Sequence, residues 1–463
     1  MILKLTWSTG EKMKILLINP PEDLDFSLFV LEDYNSKARS HAVPLWALYL
    51  HAYIKDSHEC KIIDMAAKGM QISDIDAELD SFKPDFVGLT CVIGRWKTVR
   101  KLSERIKNHS DIKVILGGVN PSLYPWETLQ CPHVDYVIEG FGQRPLKELL
   151  DKYPKQKVEF GIPKLHTKYN CTKETVGCFN FENVDDFPMP DRSILPIEDY
   201  VMPFFGEEGN PVTSSVTSFG CPFKCRFCRS KEFKPLILRD PDKIAAEMKN
   251  IENIGIKGVI FNDELLTLNT KRIGAITSAL IRANVNLKLA LRSRANLVNA
   301  DALNMLKDAG VFSIHMGIES GTDRILGEMN KQLTVETIKK SVGMIKEAGL
   351  KVSASFMLGY KDESESEIMQ TIQFSKDLDL DNSQYFIVQP EPETELYQEL
   401  KYRKGLPDDI YRAFTLDPDS VDLKNNLAST RFDKEVMNEI LKYAYSQTKN
   451  LYSIKEEYES KEK

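Results

Sequence analysis

The sequence has no apolar run approaching the length of a membrane span. The nearest candidate, residues 41–54, is interrupted by Pro44 and His51, which excludes a spanning helix there. The opening stretch MILKLTWSTGEKMK lacks the long apolar core of a secretory signal. Positive charge is not in excess either: 61 Lys and Arg against 68 Asp and Glu leave a formal net charge of −7. That balance argues against a general nucleic-acid binder, because neutralising phosphates takes clustered Lys and Arg. Eight cysteines in 463 residues show no disulfide-like pattern, so a reducing, cytoplasmic location is expected. The remaining composition, 42% hydrophobic and 28% charged, reads as that of an ordinary globular protein with room for two or three domains.

What is present is concentrated in TSSVTSFGCPFKCRFCRS, residues 213–230. Cys221, Cys225 and Cys228 form a C-x-x-x-C-x-x-C group. The β-branched run at 213–219 predicts a buried strand, and Gly220 with Pro222 forces a turn, so the cysteines are expected on a loop at a strand's C-terminal end. A structural zinc site closes with four ligands, whereas an iron–sulfur cube held by three thiolates leaves one iron open to something else. A zinc ribbon missing its second half, or reduced core cysteines, remain alternatives. Both are weakened by the absence of a second C-x-x-C and by Lys224, Arg226 and Arg229 within the loop. The basic run at 224–234 is expected to be a solvated loop that can also offset cluster charge or receive an acidic electron donor.

Along the chain, short apolar runs at 13–19 (MKILLIN), 60–64, 86–90, 114–117 and 134–138 alternate with helix-like segments such as 44–54 and 96–107. This predicts a parallel, doubly wound sheet ending near Leu150, with ligands at the strands' carboxyl ends. Residues 155–205 have poor periodicity and many prolines and read as an ordered connector, in which Cys171 and Cys178 are taken as ordinary reduced thiols. After the cysteine loop, strand-like runs at 258–261, 287–291, 312–317, 352–358 and 384–388 alternate with helices. With the strand before the cysteines they make six β/α units, a partial barrel of the TIM type whose chemistry belongs at the strands' C-terminal ends. Asp263-Glu264, Arg292-Ser293-Arg294, Glu319-Ser320 and Gly359-Tyr360 fall at those ends. His315, inside a strand, reads as a satisfied interior residue, His58 as a surface histidine, and the closing EEYESKEK as a frayed tail.

The cysteine spacing, with Phe227 before the third cysteine, resembles the cluster loop of the radical S-adenosylmethionine (SAM) enzymes. V-I-F-N-D-E, S-R-A-N, H-M-G-I-E-S-G and F-M-L-G-Y-K-D-E-S resemble the patterns of that family at the corresponding strands. Ahead of them, N-P-P after the first strand, P-L-x-x-L-Y-L-x-A-Y, K-P-D-x-V-G-L and L-G-G-x-x-P-S resemble the cobalamin-binding domain of one large subfamily, and P-x-P-D-R with Tyr200 resembles its bridge between domains. The resemblance implies an N-terminal extension (1–12), a Rossmann-like cobalamin-binding domain (13–154), a connector (155–205), a partial (β/α)6 radical SAM domain (206–400) and a helical C-terminal extension (401–463).

The same resemblance implies a [4Fe-4S] cluster on Cys221, Cys225 and Cys228 whose free iron is chelated by SAM. Phe227 sits at the family's aromatic position, Glu264 takes the SAM amino group, Ser293 and Glu319 the ribose, and Arg294 the SAM carboxylate. Thr90, Gly117, Gly118 and Gly140 are the implied cobalamin contacts. No D-x-H-x-x-G follows the first strand, which implies cobalamin without a lower histidine ligand. Other departures are Glu139-Gly140-Phe141-Gly142-Gln143 in place of a run close to G-E-G-E, and Gly359-Tyr360-Lys361-Asp362-Glu363-Ser364 in place of G-x-P-G-E-T. A third is Glu393 in place of glycine in P-x-P-G-T-x-L-Y.

The implied activity is reductive SAM cleavage and, with cobalamin, methylation of an unactivated carbon. The substrate would be a small molecule, lipid or peptide, and the electron donor of flavodoxin or ferredoxin type. Cyclisation, rearrangement or oxidation without methyl transfer is the alternative within the family, as is SAM cleavage beside an empty first domain. A non-catalytic iron–sulfur or zinc protein is the alternative outside it. A methylthiotransferase is disfavoured because Cys60, Cys91 and Cys131 are too scattered to form the extra cluster of that branch.

Overall fold

The fold was analysed in a computed structural model, which describes residues 12–21, 43–153, 161–179, 182–231, 236–450 and 453. The expected N-terminal extension (save Lys12), the start of the connector, the end of the basic run and the EEYESKEK tail fall outside the described residues. The chain divides into two compact units, one within positions 1–22, 46–179 and 187–191, the other within 23–45, 180–186 and 192–463.

The first unit is built on β1 (Lys14–Asn19), β2 (Glu59–Asp64), β3 (Phe86–Thr90), β4 (Lys113–Gly117), β5 (Tyr136–Ile138) and β6 (Leu165–His166). Their order is β2-β1-β3-β4-β5-β6, parallel apart from the last pair. The first five are read from the sequence as strands because burial on both faces produces continuous apolar runs such as KILLIN. Helices cover the sheet with apolar faces; in the helix Trp96–His109, Trp96, Val99, Leu102 and Ile106 are buried. The strand order reverses at β1, which puts the crevice for a ligand at the carboxyl ends of β1 and β3.

The second unit is a half-barrel of six parallel strands in the order β14-β13-β12-β11-β10-β7. They are β7 (Val212–Ser215), β10 (Gly258–Phe261), β11 (Lys288–Ser293), β12 (Val311–Glu319), β13 (Lys351–Leu358) and β14 (Asn382–Ile387). The run at 213–219, expected as one strand, is broken: β7 stops at Ser215, and β8 (Ser218–Phe219) pairs antiparallel with β9 (Ile237–Leu238). Val259, Leu289, Ile314 and Val352 face the outer helices in one continuous core. The edge of β14 is closed by the helix Lys434–Gln447: Tyr445 Oη accepts from Tyr385 N (3.2 Å) and donates to Tyr385 O (3.1 Å). Ser383 N donates to Lys449 O at 2.8 Å.

The barrel's first strand is fixed by a buried ionic cluster. Arg192, from the P-x-P-D-R segment, donates from Nε to Thr213 Oγ1 (3.1 Å) and from Nη2 to Glu247 Oε1 (2.6 Å). Arg239 Nη1 donates to Glu247 Oε2 at 2.7 Å, and its Nε to Asp185 Oδ1 at 2.7 Å. Burial alone would push Glu247 up, but Arg192 and Arg239 outweigh it and hold the carboxyl below its usual range. A carboxyl with a depressed folded pKa contributes stability above its unfolded value and loses it as pH falls through the folded one. Glu247→Gln, which leaves the buried Arg192 guanidinium without its counter-charge and Arg239 with Asp185 alone, is expected to cost about 3–5 kcal/mol in urea unfolding at pH 7. The difference from wild type should shrink as pH falls below about 4, the ordinary glutamate value, and on through the depressed folded one.

Candidate active site

The cysteine loop is positioned by what happens at the end of β7. Asp263, just beyond β10, is buried and accepts from Thr217 N (2.7 Å), Thr217 Oγ1 (2.5 Å) and Ser218 Oγ (2.5 Å). These bonds pull the backbone out of the sheet and start the loop that carries Cys221, Cys225 and Cys228. Its middle is held from two other directions. Arg226 N donates to Met329 O (3.0 Å) and Leu396 N donates to Arg226 O (3.1 Å), while Asn330 Nδ2 donates to Lys224 O at 2.8 Å.

The three cysteines line a cavity of about 630 Å³ at the strands' C-terminal ends, together with Phe227, Glu264, Ser293, Arg294 and Glu319. Arg294 stacks 4.0 Å over the Phe223 ring and reaches from Nη1 to Cys225 Sγ at 3.7 Å. Its Nε donates to Asn296 Oδ1 at 3.0 Å, but its Nη2 is buried without a hydrogen-bond partner. Glu264 Oε2 accepts from Gly220 N (3.1 Å). Burial and the neighbouring Asp263 push its carboxyl up, against backbone donors and Arg292. Ser293 Oγ lies 2.6 Å from Thr267 Oγ1. Glu319 Oε1 accepts from Lys331 Nζ at 2.7 Å in a buried pair, with Glu319 itself at φ 72, in the left-handed region. Burial pushes the Cys221 thiol up.

Two residues named at the strand ends point elsewhere. Asp263 serves the loop backbone, and Tyr360 is packed in the core beside Leu396 and Val388. Lys331, Ser355, Gln384, Gln389 and Glu391 join the wall, none of them anticipated as a site residue, although Glu391 lies in the run compared with P-x-P-G-T-x-L-Y. Glu391 Oε1 accepts from Tyr411 Oη at 2.8 Å, and burial pushes its carboxyl up. His315 is satisfied as expected, its Nδ1 3.0 Å from Ser353 Oγ and its Nε2 2.7 Å from Ser355 Oγ, yet it too lines the cavity. His58 is not at the surface. It is buried at the amino end of β1, accepting on Nδ1 from Met13 N (3.4 Å) with Nε2 3.0 Å from Asp151 Oδ1. A partner 93 positions away leaves no local trace in the sequence.

In the first unit, Thr90, Gly117, Gly118 and Gly140 stand at the carboxyl ends of β3, β4 and β5. Gly118 is at φ 96, and a Cβ there would lie 2.8 Å from Cys91 O and 2.9 Å from Thr90 Oγ1, so no other residue fits. Ser122 links two of these turns, donating from Oγ to Gly118 O (2.7 Å) and accepting from Gly140 N (2.8 Å). Cys178 donates to Glu139 Oε1 at 2.9 Å, and its thiol is pushed up to about 11 by burial and by that carboxylate, in keeping with an unreactive reduced cysteine.

Comparison with known proteins agrees with this geometry. The radical SAM superfamily model matches residues 215–375, and the B12 binding domain model matches residues 32–150. An uncharacterized methyltransferase of Pyrococcus horikoshii is 30% identical over 441 residues, covering 94% of this chain and 92% of that one. The chain belongs to the B12-binding radical SAM enzymes. An anaerobic magnesium-protoporphyrin IX monomethyl ester cyclase of Rubrivivax gelatinosus is 24% identical to this radical SAM chain over 394 residues, 81% of it and 69% of the cyclase. Among solved structures, the radical SAM methyltransferase TsrM of Kitasatospora setae matches with a TM-score of 0.67 at 16% identity, covering 85% of this chain and 76% of that one. The cobalamin-dependent radical SAM enzyme OxsB matches at 0.63 and 17% identity, covering 98% and 61%. At these identities the structures establish the fold.

The family's cofactors are a [4Fe-4S] cluster, SAM and cobalamin, and the residues of this radical SAM chain fit the first two. Three thiols share one cavity wall, and among the described residues no three His, Cys, Asp or Glu side chains converge as they would on a single ion. A cube instead takes each thiolate on a separate iron. The buried, unpartnered Arg294 Nη2 costs about 1–3 kcal/mol unless something accepts from it. For B12, the fit rests on the glycine and hydroxyl turns at the sheet's carboxyl edge.

Glu363, in the turn after β13, supplies a pH test of this end of the barrel. Its Oε2 accepts from Gly359 N (2.8 Å) and Tyr360 N (3.0 Å), while Oε1 is buried without a partner. Burial pushes the carboxyl up to about 7. A raised folded pKa means that its contribution is complete below the unfolded value and is lost as pH rises through about 7. Melting curves of wild type and Glu363→Gln should therefore diverge between pH 5 and 8, with wild type losing up to ~3 kcal/mol relative to the variant. Parallel pH profiles would refute the assignment.

Proposed function

We propose that this enzyme is a cobalamin-dependent radical SAM C-methyltransferase acting on an unactivated carbon. The observation that carries the reading is Arg294: a guanidinium beside Cys225 with one buried N–H unmatched, in a cavity that also holds three thiols. In this reading Cys221, Cys225 and Cys228 hold the cluster. Arg294 takes the SAM carboxylate through a charge-assisted bond, Glu264 its amino group, and Ser293 and Glu319 its ribose, with Phe227 beside the cluster. Thr90, Gly117, Gly118 and Gly140 form the cobalamin cradle. When bound, the cluster and SAM supply hydrogen abstraction and cobalamin supplies the methyl group; the chain positions them and excludes water.

Methylation is favoured by the Pyrococcus methyltransferase, which is similar along nearly the whole chain. The cyclase of Rubrivivax supports a second reading, ring formation without methyl transfer. The exposed Lys224, with Arg226 on the same loop, offers a basic landing surface for an acidic donor of flavodoxin or ferredoxin type, while Arg229 lines the cysteine cavity.

Anaerobic reconstitution with iron, SAM, cobalamin and a reductant, fed with extracts as a substrate source, tests the proposal. Methylation requires both 5′-deoxyadenosine and S-adenosylhomocysteine; deoxyadenosine alone, with cobalamin stably bound, would decide for the second reading. Cys225→Ala is expected to lose cluster iron and both products. Arg294→Gln should keep its iron while the KM for SAM rises roughly tenfold or more, the worth of a hydrogen bond to a charged group.

A further inference from the structure

Beneath the cysteine cavity, towards the amino ends of the strands, the half-barrel encloses a second cavity of about 270 Å³. Arg292, His315 and Gln384 line both. Strand register sets Arg292, His315, Ser353 and Asn382 side by side on β11, β12, β13 and β14. One layer of the lumen is therefore polar, where a barrel interior is ordinarily filled by Val, Ile and Leu. Among the described residues no Asp or Glu lines this lower cavity, and Arg292 is its one cationic side chain.

Of the other three cations that line the cysteine cavity, Arg229 is attracted by the Glu391 carboxyl and two are held by neighbours. Lys331 is paired with Glu319, and Arg294 is stacked on Phe223. The Arg292 guanidinium makes no hydrogen bond or ion pair among the described residues and opens on the lumen. The same cavity wall carries polar side chains that are not fully paired. The Asn382 amide has no hydrogen bond, its oxygen being buried and unpartnered. His315 is held neutral, its pKa pushed down to about 4 by burial and by Arg292. A neutral imidazole between Ser353 and Ser355 donates to one hydroxyl and accepts from the other, so the hydroxyl that receives its proton keeps its own free to give. Among the described residues Glu264, in the cavity above, is the one carboxylate that feels the Arg292 charge, and the lower wall carries hydroxyls and amides without a carboxylate, so the planar guanidinium can take a carboxylate or phosphate there by two parallel bonds.

We propose that this lower chamber binds the anionic oxyacid group of the substrate, with Arg292 as its anchor and the Ser353, Asn382 and Gln384 side chains as hydrogen-bond partners. The substrate is accordingly a small organic acid or phosphate ester, and its reacting carbon extends upward into the cysteine cavity. The inference rests on the reading that SAM is cleaved in that upper cavity.

The test uses the full-length enzyme with cluster, cobalamin and SAM bound and no reductant, so that nothing turns over. Line broadening of trifluoroacetate (19F) and inorganic phosphate (31P) reports binding of the two oxyanion types. One probe is expected to bind, weakened about tenfold or more by Arg292→Gln, less by Arg292→Lys, and unchanged by Arg282→Gln on the exterior, where Arg282 pairs with Asp242. Which probe depends on Arg292 decides between carboxylate and phosphate. The Arg292→Gln melting temperature should not fall, whereas a structural arginine would lower it. Binding of neither probe up to about 100 mM, or equal binding by Arg292→Gln, overturns the proposal. SAM cleavage is then assayed on the same samples with reductant: intact cleavage without Arg292-dependent binding removes this inference alone, and absent cleavage in wild type removes the reading beneath it.

Discussion

The top of the half-barrel depends on one buried carboxylate. Asp263 gathers a backbone N–H and two hydroxyls within three positions of the end of β7. A carboxylate buried that deeply is stable only when its lone pairs are filled, so the three donors are not free to return to the sheet. The strand must stop, and the chain is delivered as a loop above the lumen. Met329 and Leu396, more than a hundred positions downstream, then hold the same loop through backbone bonds. The thiols thus take their places from three distant parts of the chain, which makes the cavity a property of the finished barrel and not of the cysteine motif.

This division explains what was legible in the sequence. Thiol identity and spacing survive without any tertiary context, and so do strands buried on both faces, since each leaves a contiguous apolar run. The break after Ser215 was not legible, because Thr213 to Phe219 has the composition of a continuous strand and the competing partner, Asp263, lies beyond the end of another one. The lumen residues were hidden for a similar reason. His315, Ser355 and Gln384 become neighbours only once the registers of β12, β13 and β14 are known. His58, taken as a surface residue because Asp56-Ser57-His58 lacks the glycine of D-x-H-x-x-G and precedes the second strand, is buried against Met13 and Asp151.

The turns above the strands carry a related lesson. Asp362 and Glu393 stand where the family pattern has glycine, and both keep the left-handed backbone, at φ 56 and φ 68. An L side chain there costs roughly 1–2 kcal/mol. At Asp362 the cost is offset by Arg403 Nη1 (2.8 Å) and Thr430 Oγ1 (2.7 Å), which bind its carboxylate and lower its pKa to about 2. At Asp362 the departure from the pattern therefore leaves the left-handed turn in place and moves its support from backbone freedom to side-chain contacts from beyond position 400.

Tyr385 and Ser383 on β14 bond to the helix Lys434–Gln447 and to Lys449 rather than to another strand. That arrangement has a consequence during synthesis. An open half-barrel leaves a ladder of unpaired backbone groups along its last strand, a template for joining another chain. The covering helix is translated about 60 residues after β14, which at a ribosomal pace of roughly 5–20 residues per second leaves the ladder bare for about 3–12 s. During that interval the nascent barrel is vulnerable to mispairing with its neighbours on a polysome, and the first opportunity for lasting closure comes only as the helix emerges.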